Sequence, residues 1–289
     1  MINPELLKEL VAFQKYGTLS ATAEHLLITQ PSVTRGMKKL EQELGVTLFE
    51  RQANKITLNQ TGKLAASEAK KLLNHQKEFT EKIINFDKSQ NKLQIGSTLP
   101  GPLLLVKMFA DKFDANLDIN SQLTLPTNIF DDLQTYKEKV IFTTKEIQTS
   151  EIESLYLGKE KLFVKIDKFN PLAQKKFVTF NDLAGLSFLV AQDIGPWRKI
   201  SEKYIPDAKF LYQSDPNSLD ELTKYSNFPI FRSNLSILDN DRSSNDNRNL
   251  IEIKNEHNEL EIYASYLKDK ENKARIKPFL QKLIKIWPK

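Results

Sequence analysis

The sequence predicts an α/β protein built in three successive parts, and three observations carry that expectation. Residues 1–60 hold short helical stretches separated by Gly17 and Gly45. Residues 61–88 read as one long helix, free of Gly and Pro after Gly62. Residues 91–289 alternate strand-like and helix-like segments, the pattern of an α/β layer. A length of 289 residues suits more than one domain at the usual ~100–200 each. Hydrophobic residues at 40% and charged residues at 27% are globular composition. The absence of cysteine removes disulfide frameworks, thiolate metal sites and thiol nucleophiles together. His25, His75 and His257 are too scattered for a local metal motif, so neither a metal nor a cofactor is expected. The formal charge of +5 is too mild to name a partner by itself.

The first helix carries Leu6, Leu10 and Phe13 on one stripe, widened by Leu7 and Val11. Gly17 can end it, and Thr18 can cap a second short helix containing Ala21, Ala23, Leu26 and Leu27. A four-residue turn from Leu27 to Gln30 leads to a third helix, capped by Thr29, with Pro31 in its first turn. Val33, Met37, Leu40 and Leu44 form its apolar stripe, and Gly45 stops it. The other face presents Gln30, Ser32, Thr34, Arg35, Lys38 and Lys39. Two short helices about a tight turn, the second rich in base-reading side chains, make a helix-turn-helix. Arg and Gln read guanine and adenine bidentately, whereas lysines anchor phosphates. The same face also reads as an ordinary solvated one, but the segment beyond Gly45 favours the first reading. There Leu48–Arg51 and Ile56–Leu58 are short strands about a polar turn, Gln52–Lys55. Such a wing sets Arg51 and Lys55 beside the DNA backbone or minor groove.

With these elements in place, the sequence resembles the LysR-type transcriptional regulators. Gly17–Leu26 looks like that family's "G-S-F-x-x-A-A-x-x-L", and Thr29–Arg35 is similar to "S-Q-P-A-L-S-R". Lys39–Arg51 resembles "R-L-E-x-x-L-G-x-x-L-F-x-R", and Thr57–Gly62 resembles "x-L-T-x-A-G". The resemblance implies that Gln30, Pro31, Thr34, Arg35 and Arg51 approach DNA. Thr18, Ser20, Ser32, Lys38, Lys39, Lys55 and Thr57 complete the expected DNA-binding set. Two positions depart from the pattern. Thr22 replaces a usual alanine, and Gly36 sits inside the recognition helix, where it costs ~1 kcal/mol relative to Ala. Gly36 reads either as a close backbone approach or as a softer helix.

The long helix places Ala65, Ala69, Leu72, Gln76, Phe79, Ile83 and Phe86 alternately four and three residues apart, a coiled-coil-like seam. In the resembling family this helix pairs two subunits. Leu72, Gln76, Phe79 and Ile83 are the expected dimerisation residues, with Gln76 a polar register-setter. A monomer burying the stripe on its own core is the alternative.

Beyond residue 91 the resemblance continues through Leu93–Ser97, Asn170–Ala173 and Val178–Gly185. It implies a winged helix-turn-helix domain at 1–60, a linker helix at 61–90 and an effector-binding domain at 91–289. The last would be two-lobed, like a periplasmic binding protein, with lobe I at about 91–163 plus 265–289 and lobe II at about 164–264. A pre-hinge "G-x-L-D" pattern is absent around Tyr136–Thr143, and Ser226–Phe231 replaces a glycine-rich segment. Ligands of such sheets sit at strand C-termini facing helix N-termini. Ser97 and Thr98, Thr127 and Asn128, and Gln192 and Asp193 occupy such places. Each also reads as an ordinary cap. Arg198 and Arg232 would pair either with an anionic ligand or with surface acids.

No catalytic constellation stands out: there is no thiol, no phosphate loop and no His-Glu pair at metalloprotease spacing. The expectation is a DNA-binding regulator, not an enzyme, acting on double-stranded promoter DNA. It would form a homo-oligomer, a dimer or tetramer, with RNA polymerase as a further contact. A small-molecule effector, an anion being the first candidate, would modulate it. The alternative is a ligand-binding or enzymatic α/β protein with an accessory helix-turn-helix. The opening MINPELLKEL lacks an apolar leader core and the apolar runs are short, so the expected location is cytoplasmic and away from membranes.

Overall fold

The structure is a computed structural model that describes residues 2–52, 55–113, 115–239 and 247–288. The chain divides into two compact units, residues 1–84 and 85–289.

The first unit opens with α1 (Pro4–Tyr16), α2 (Leu19–Leu26) and α3 (Gln30–Leu44). Asn3, Thr18 and Thr29 each accept a backbone N–H from the helix they precede. Gly17 and Gly45 end α1 and α3 in the left-handed region, at φ 75° and 69°. The expected four-residue turn is shorter, because Thr29 caps α3 and Gln30 is already its first residue. The strands β1 (Phe49–Gln52) and β2 (Lys55–Leu58) pair antiparallel, one residue displaced from the expected wing; the tip, residues 53 and 54, lies outside the described residues. The long helix α4 (Gln60–Asn91) starts where Asn59 Oδ1 accepts from Gly62 N at 2.7 Å. Leu10, Phe13, Val33, Met37, Leu40, Leu48, Ala66 and Ala69 close the core of this unit. Leu44, expected on the same stripe of α3, is exposed instead, since it is the last residue of the helix and lies past that core.

The second unit begins with β3 (Leu93–Ser97), α5 (Pro100–Met108), β4 (Leu117–Ile119), α6 (Ile129–Gln134) and β5 (Val140–Thr143). The helix α5 starts three residues before the expected Leu103, since both of its prolines fit the first turn. Next come β6 (Ile152–Asp167), β7 (Phe177–Val178), β8 (Ser187–Ala191), α7 (Pro196–Tyr204), β9 (Lys209–Gln213) and α8 (Pro216–Tyr225). The chain ends with β10 (Ile230–Ser233), β11 (Arg248–Ile253), β12 (Glu259–Leu267) and α9 (Lys270–Ile286). The strands run in the order β4-β3-β5-β12-β6-β11-β7, with β10 also on β6, and β8 pairs separately with β9.

The 16-residue β6 joins two hydrophobic cores. Its first part, to Lys161, pairs with β12. Its last part, from Leu162, pairs with β10 and β11. One core gathers Ile95, Leu105, Phe142, Ile262 and Leu283; the other gathers Val164, Ile166, Phe188, Trp197 and Ile251. A cleft opens where β6 passes between them.

Candidate nucleic-acid interface and ligand cleft

The recognition face is built by burial of the opposite one. Val33, Met37 and Leu40 are buried, which leaves Gln30, Pro31, Arg35, Lys38 and Lys39 exposed and Ser32 and Thr34 half-buried. The face is ordered by its own hydrogen bonds. Ser20 Oγ donates to Gln30 Oε1 at 3.1 Å, tying α2 to the start of α3. Arg35 Nη2 donates to Ser32 Oγ at 3.3 Å, and Thr34 Oγ1 donates to Gln30 O at 3.0 Å. Thr18 and Ser20 are exposed beside them. On the wing, Arg51 and Lys55 are exposed and Thr57 half-buried. Glu41 anchors the wing to α3: its Oε1 accepts from Leu48 N and Phe49 N, and its Oε2 lies 3.4 Å from Arg51. A polar, cationic surface on a buried apolar stripe can read a groove and hold phosphates.

Both departures in this unit have a local cause. Thr22 is fully buried, but its hydroxyl donates to Thr18 O at 2.7 Å, so the extra polar atom is satisfied. At Gly36 a Cβ would stand 2.0 Å from Glu9 Oε2. The close approach is therefore made by a carboxylate of α1.

Along α4, Leu72, Phe79 and Ile83 are 56%, 67% and 55% exposed, and Gln76 is exposed between them. Ala66 and Ala69 instead face the core of the first unit.

In the second unit the cleft holds a cavity of about 310 Å³, lined by Leu103, Leu104, Leu162, Leu189, Trp197 and Phe231 among others. Of the effector residues expected from sequence, Asp193 lines it, and so does Arg232. Ser97 is fully buried and its hydroxyl is taken: Oγ donates to Leu99 O at 2.6 Å and accepts from Leu99 N at 3.1 Å. Thr98 Oγ1 donates to Phe142 O. Thr127 and Asn128 are exposed, hydrogen-bonded to each other, and away from the cavity lining. Gln192 is exposed and also outside the lining. The two turns nevertheless meet through backbone, because a Cβ at Gly195 (φ 58°) would lie 2.3 Å from Thr98 O. Arg198 is committed elsewhere, to Glu202 at 3.1 Å and over the Tyr212 ring.

Sequence reasoning missed Glu160, which lines the cavity yet is only 2% exposed. Trp197 Nε1 donates to its Oε2 at 3.2 Å, and Ser233 gives it a second hydrogen bond. Burial pushes this carboxyl above the ordinary carboxylate range, against the pull of those donors. The signal was present: Glu160 continues the inward row of Leu162, Val164 and Ile166 on β6, a carboxyl in an apolar alternation.

The first unit thus defines a winged helix-turn-helix protein. Residues 4–63 match the model described as bacterial regulatory helix-turn-helix protein, lysR family. These residues are thus similar to the helix-turn-helix domain of LysR-type regulators. The chain is similar to the hydrogen peroxide-inducible genes activator of Haemophilus influenzae, 27% identical over 198 residues, covering 66% of this chain and 65% of the relative. It is also similar to the uncharacterized HTH-type transcriptional regulator YbhD of Escherichia coli, 25% identical over 209 residues, covering 70% of this chain and 65% of the relative. The matches span a little under two thirds of these relatives. Among solved structures, Vibrio fischeri DarR in complex with DNA shares the fold at TM-score 0.58 and 18% identity, covering 98% of this chain and 99% of that one. A full-length OxyR variant from Pseudomonas aeruginosa does so at TM-score 0.53 and 18% identity, covering 99% and 95%. The relatives bear the names of regulators, not of enzymes. No described helix is long and apolar enough to cross a membrane.

Proposed function

We propose that this chain is a transcription regulator that binds double-stranded promoter DNA through α3 and the wing. One observation carries the reading: the recognition face exposes Gln30, Arg35, Lys38 and Lys39 while Val33, Met37 and Leu40 on its apolar stripe are buried. The exposed row of Leu72, Phe79 and Ile83 supports a homo-oligomer in which a second copy covers it. Pairing would set two recognition helices on half-sites about one helical turn apart. RNA polymerase fits as the downstream contact of such a regulator. The cleft at Glu160 is the effector site, and its occupant acts by binding one arrangement of the two cores better than another.

A gel-shift titration of the purified chain on DNA upstream of its own coding sequence tests this. A complex that survives an excess of random competitor DNA is expected. Equal affinity for upstream and random DNA would overturn the reading.

A further inference from the structure

The cleft has a buried carboxyl in its lining. Glu160 stands on β6 with its carboxyl buried, in a cavity whose apolar lining includes Leu103, Leu162, Leu189, Trp197 and Phe231. Its position is fixed from both sides. Trp197 Nε1 holds Oε2 at 3.2 Å, and at Gly101 a Cβ would lie 2.1 Å from Oε1, so only glycine lets α5 come this close without displacing the carboxyl. Both hydrogen-bond donors to this carboxyl, the indole N–H and the Ser233 hydroxyl, are neutral. Two further acids, Asp193 and Asp220, line the cavity and are exposed. Among the described residues, the cations of the lining are Lys107, which is exposed, and Arg232, which is half-buried and engaged within the protein. Neutral donors bring no counter-charge to this carboxyl in its ionised form, and a ligand carrying a cation would supply one.

On the reading of this cavity as the effector site, we infer that its occupant is a small organic amine, an apolar body whose ammonium group is held by the Glu160 carboxylate. The buried carboxyl, rather than the helix N-terminus behind Ser97, sets the sign of the ligand. In the empty cleft, burial favours the protonated acid. Binding an ammonium ion then yields the carboxylate–ammonium pair and releases the Glu160 proton to solvent. Charge and protons balance without any other reactant.

Isothermal titration calorimetry of the full chain with phenethylammonium, 3-phenylpropionate and 2-phenylethanol tests this. Phenethylammonium is expected to bind about tenfold tighter than either of the others, a factor that corresponds to ~1.4 kcal/mol. Its binding heat should differ between phosphate and Tris buffers in the sense of proton release. Glu160→Gln should weaken it by about tenfold or more, with Glu160→Asp less affected. Thermal melts of both variants show whether each is folded. A preference for the carboxylate, or an amine affinity indifferent to Glu160→Gln in a folded protein, overturns the inference. Leu104→Trp fills the cavity and separates this failure from that of the effector site itself. If it abolishes binding of the carboxylate, the site stands and the amine falls. If no probe binds, or binding ignores Leu104→Trp, both fall.

Discussion

The carboxylate of Glu9 on α1 occupies the space where a side chain at Gly36 on α3 would stand, 2.0 Å from the Cβ position. Gly36 is itself buried, and Glu9 Oε2 is buried without a hydrogen-bond partner among the described residues. Ala should favour the helix by ~1 kcal/mol over Gly, yet here its methyl group must displace the carboxylate. Gly36→Ala is therefore expected to gain little in the wild-type chain and ~1 kcal/mol in a Glu9→Ala background. Denaturant melts of the four proteins in this cycle check it. Equal gains in both backgrounds would show that the contact does not limit the helix.

Glu9 also predicts a pH dependence. Burial, and then the charge of Glu5, raise its carboxyl above the ordinary range. A raised folded value means that the folded state holds the proton more tightly. Its favourable contribution is thus present in acid and lost as pH rises through the folded value. Glu9→Gln removes the cost of the buried charge, so it should raise the melting temperature at pH 7, with a gain that shrinks towards pH 4. A gain independent of pH would contradict the assignment.

Phe79 is 67% exposed, so Phe79→Asp is expected to leave the melting of each unit nearly unchanged. In an assembled protein it buries a carboxylate and breaks the pairing. DNA affinity should fall roughly a hundredfold as linked half-site contacts become independent. Sedimentation of the variant as the wild-type oligomer would show that this row is not the interface.

Ser97→Ala separates a structural hydroxyl from a ligand. Its Oγ serves Leu99 N and Leu99 O in a fully buried turn, so removal should cost ~1–3 kcal/mol of stability. Reporter response to effector should persist at permissive temperature. Unchanged melting together with a lost response would restore Ser97 to the cleft.

The features legible in the sequence are local. Caps such as Thr18 and Thr29, the left-handed glycines at 17 and 45, and the spacing of Val33, Met37 and Leu40 act within a turn or two of chain. They therefore survive as pattern. The pairing of Glu9 with Gly36 joins two helices, and no periodicity reports it. Arg248 gives another case. Its guanidinium donates to the carbonyls of Thr223, Ser226 and Phe228, which holds the segment leading into β10. One distant arginine fixes this segment, and only the fold brings it there. Position at a strand end points to Ser97 and Thr98 as ligands, but position does not fix where a hydroxyl points. Glu160 is readable from alternation, yet a lone acid in a strand resembles surface charge until its burial is known.

The most direct test of the DNA-binding account is selection of fragments of the encoding genome by the purified chain, followed by sequencing, for the wild type and Arg35→Ala in parallel. Arg35 is exposed and held by Ser32 at 3.3 Å. The account predicts a short set of promoter fragments sharing a two-fold symmetric site for the wild type. With Arg35→Ala that set should lose its common site, a specific loss of ~1–3 kcal/mol, while bulk DNA affinity is retained. Recovery of random fragments by the wild type, or the same site selected equally well without Arg35, would contradict it.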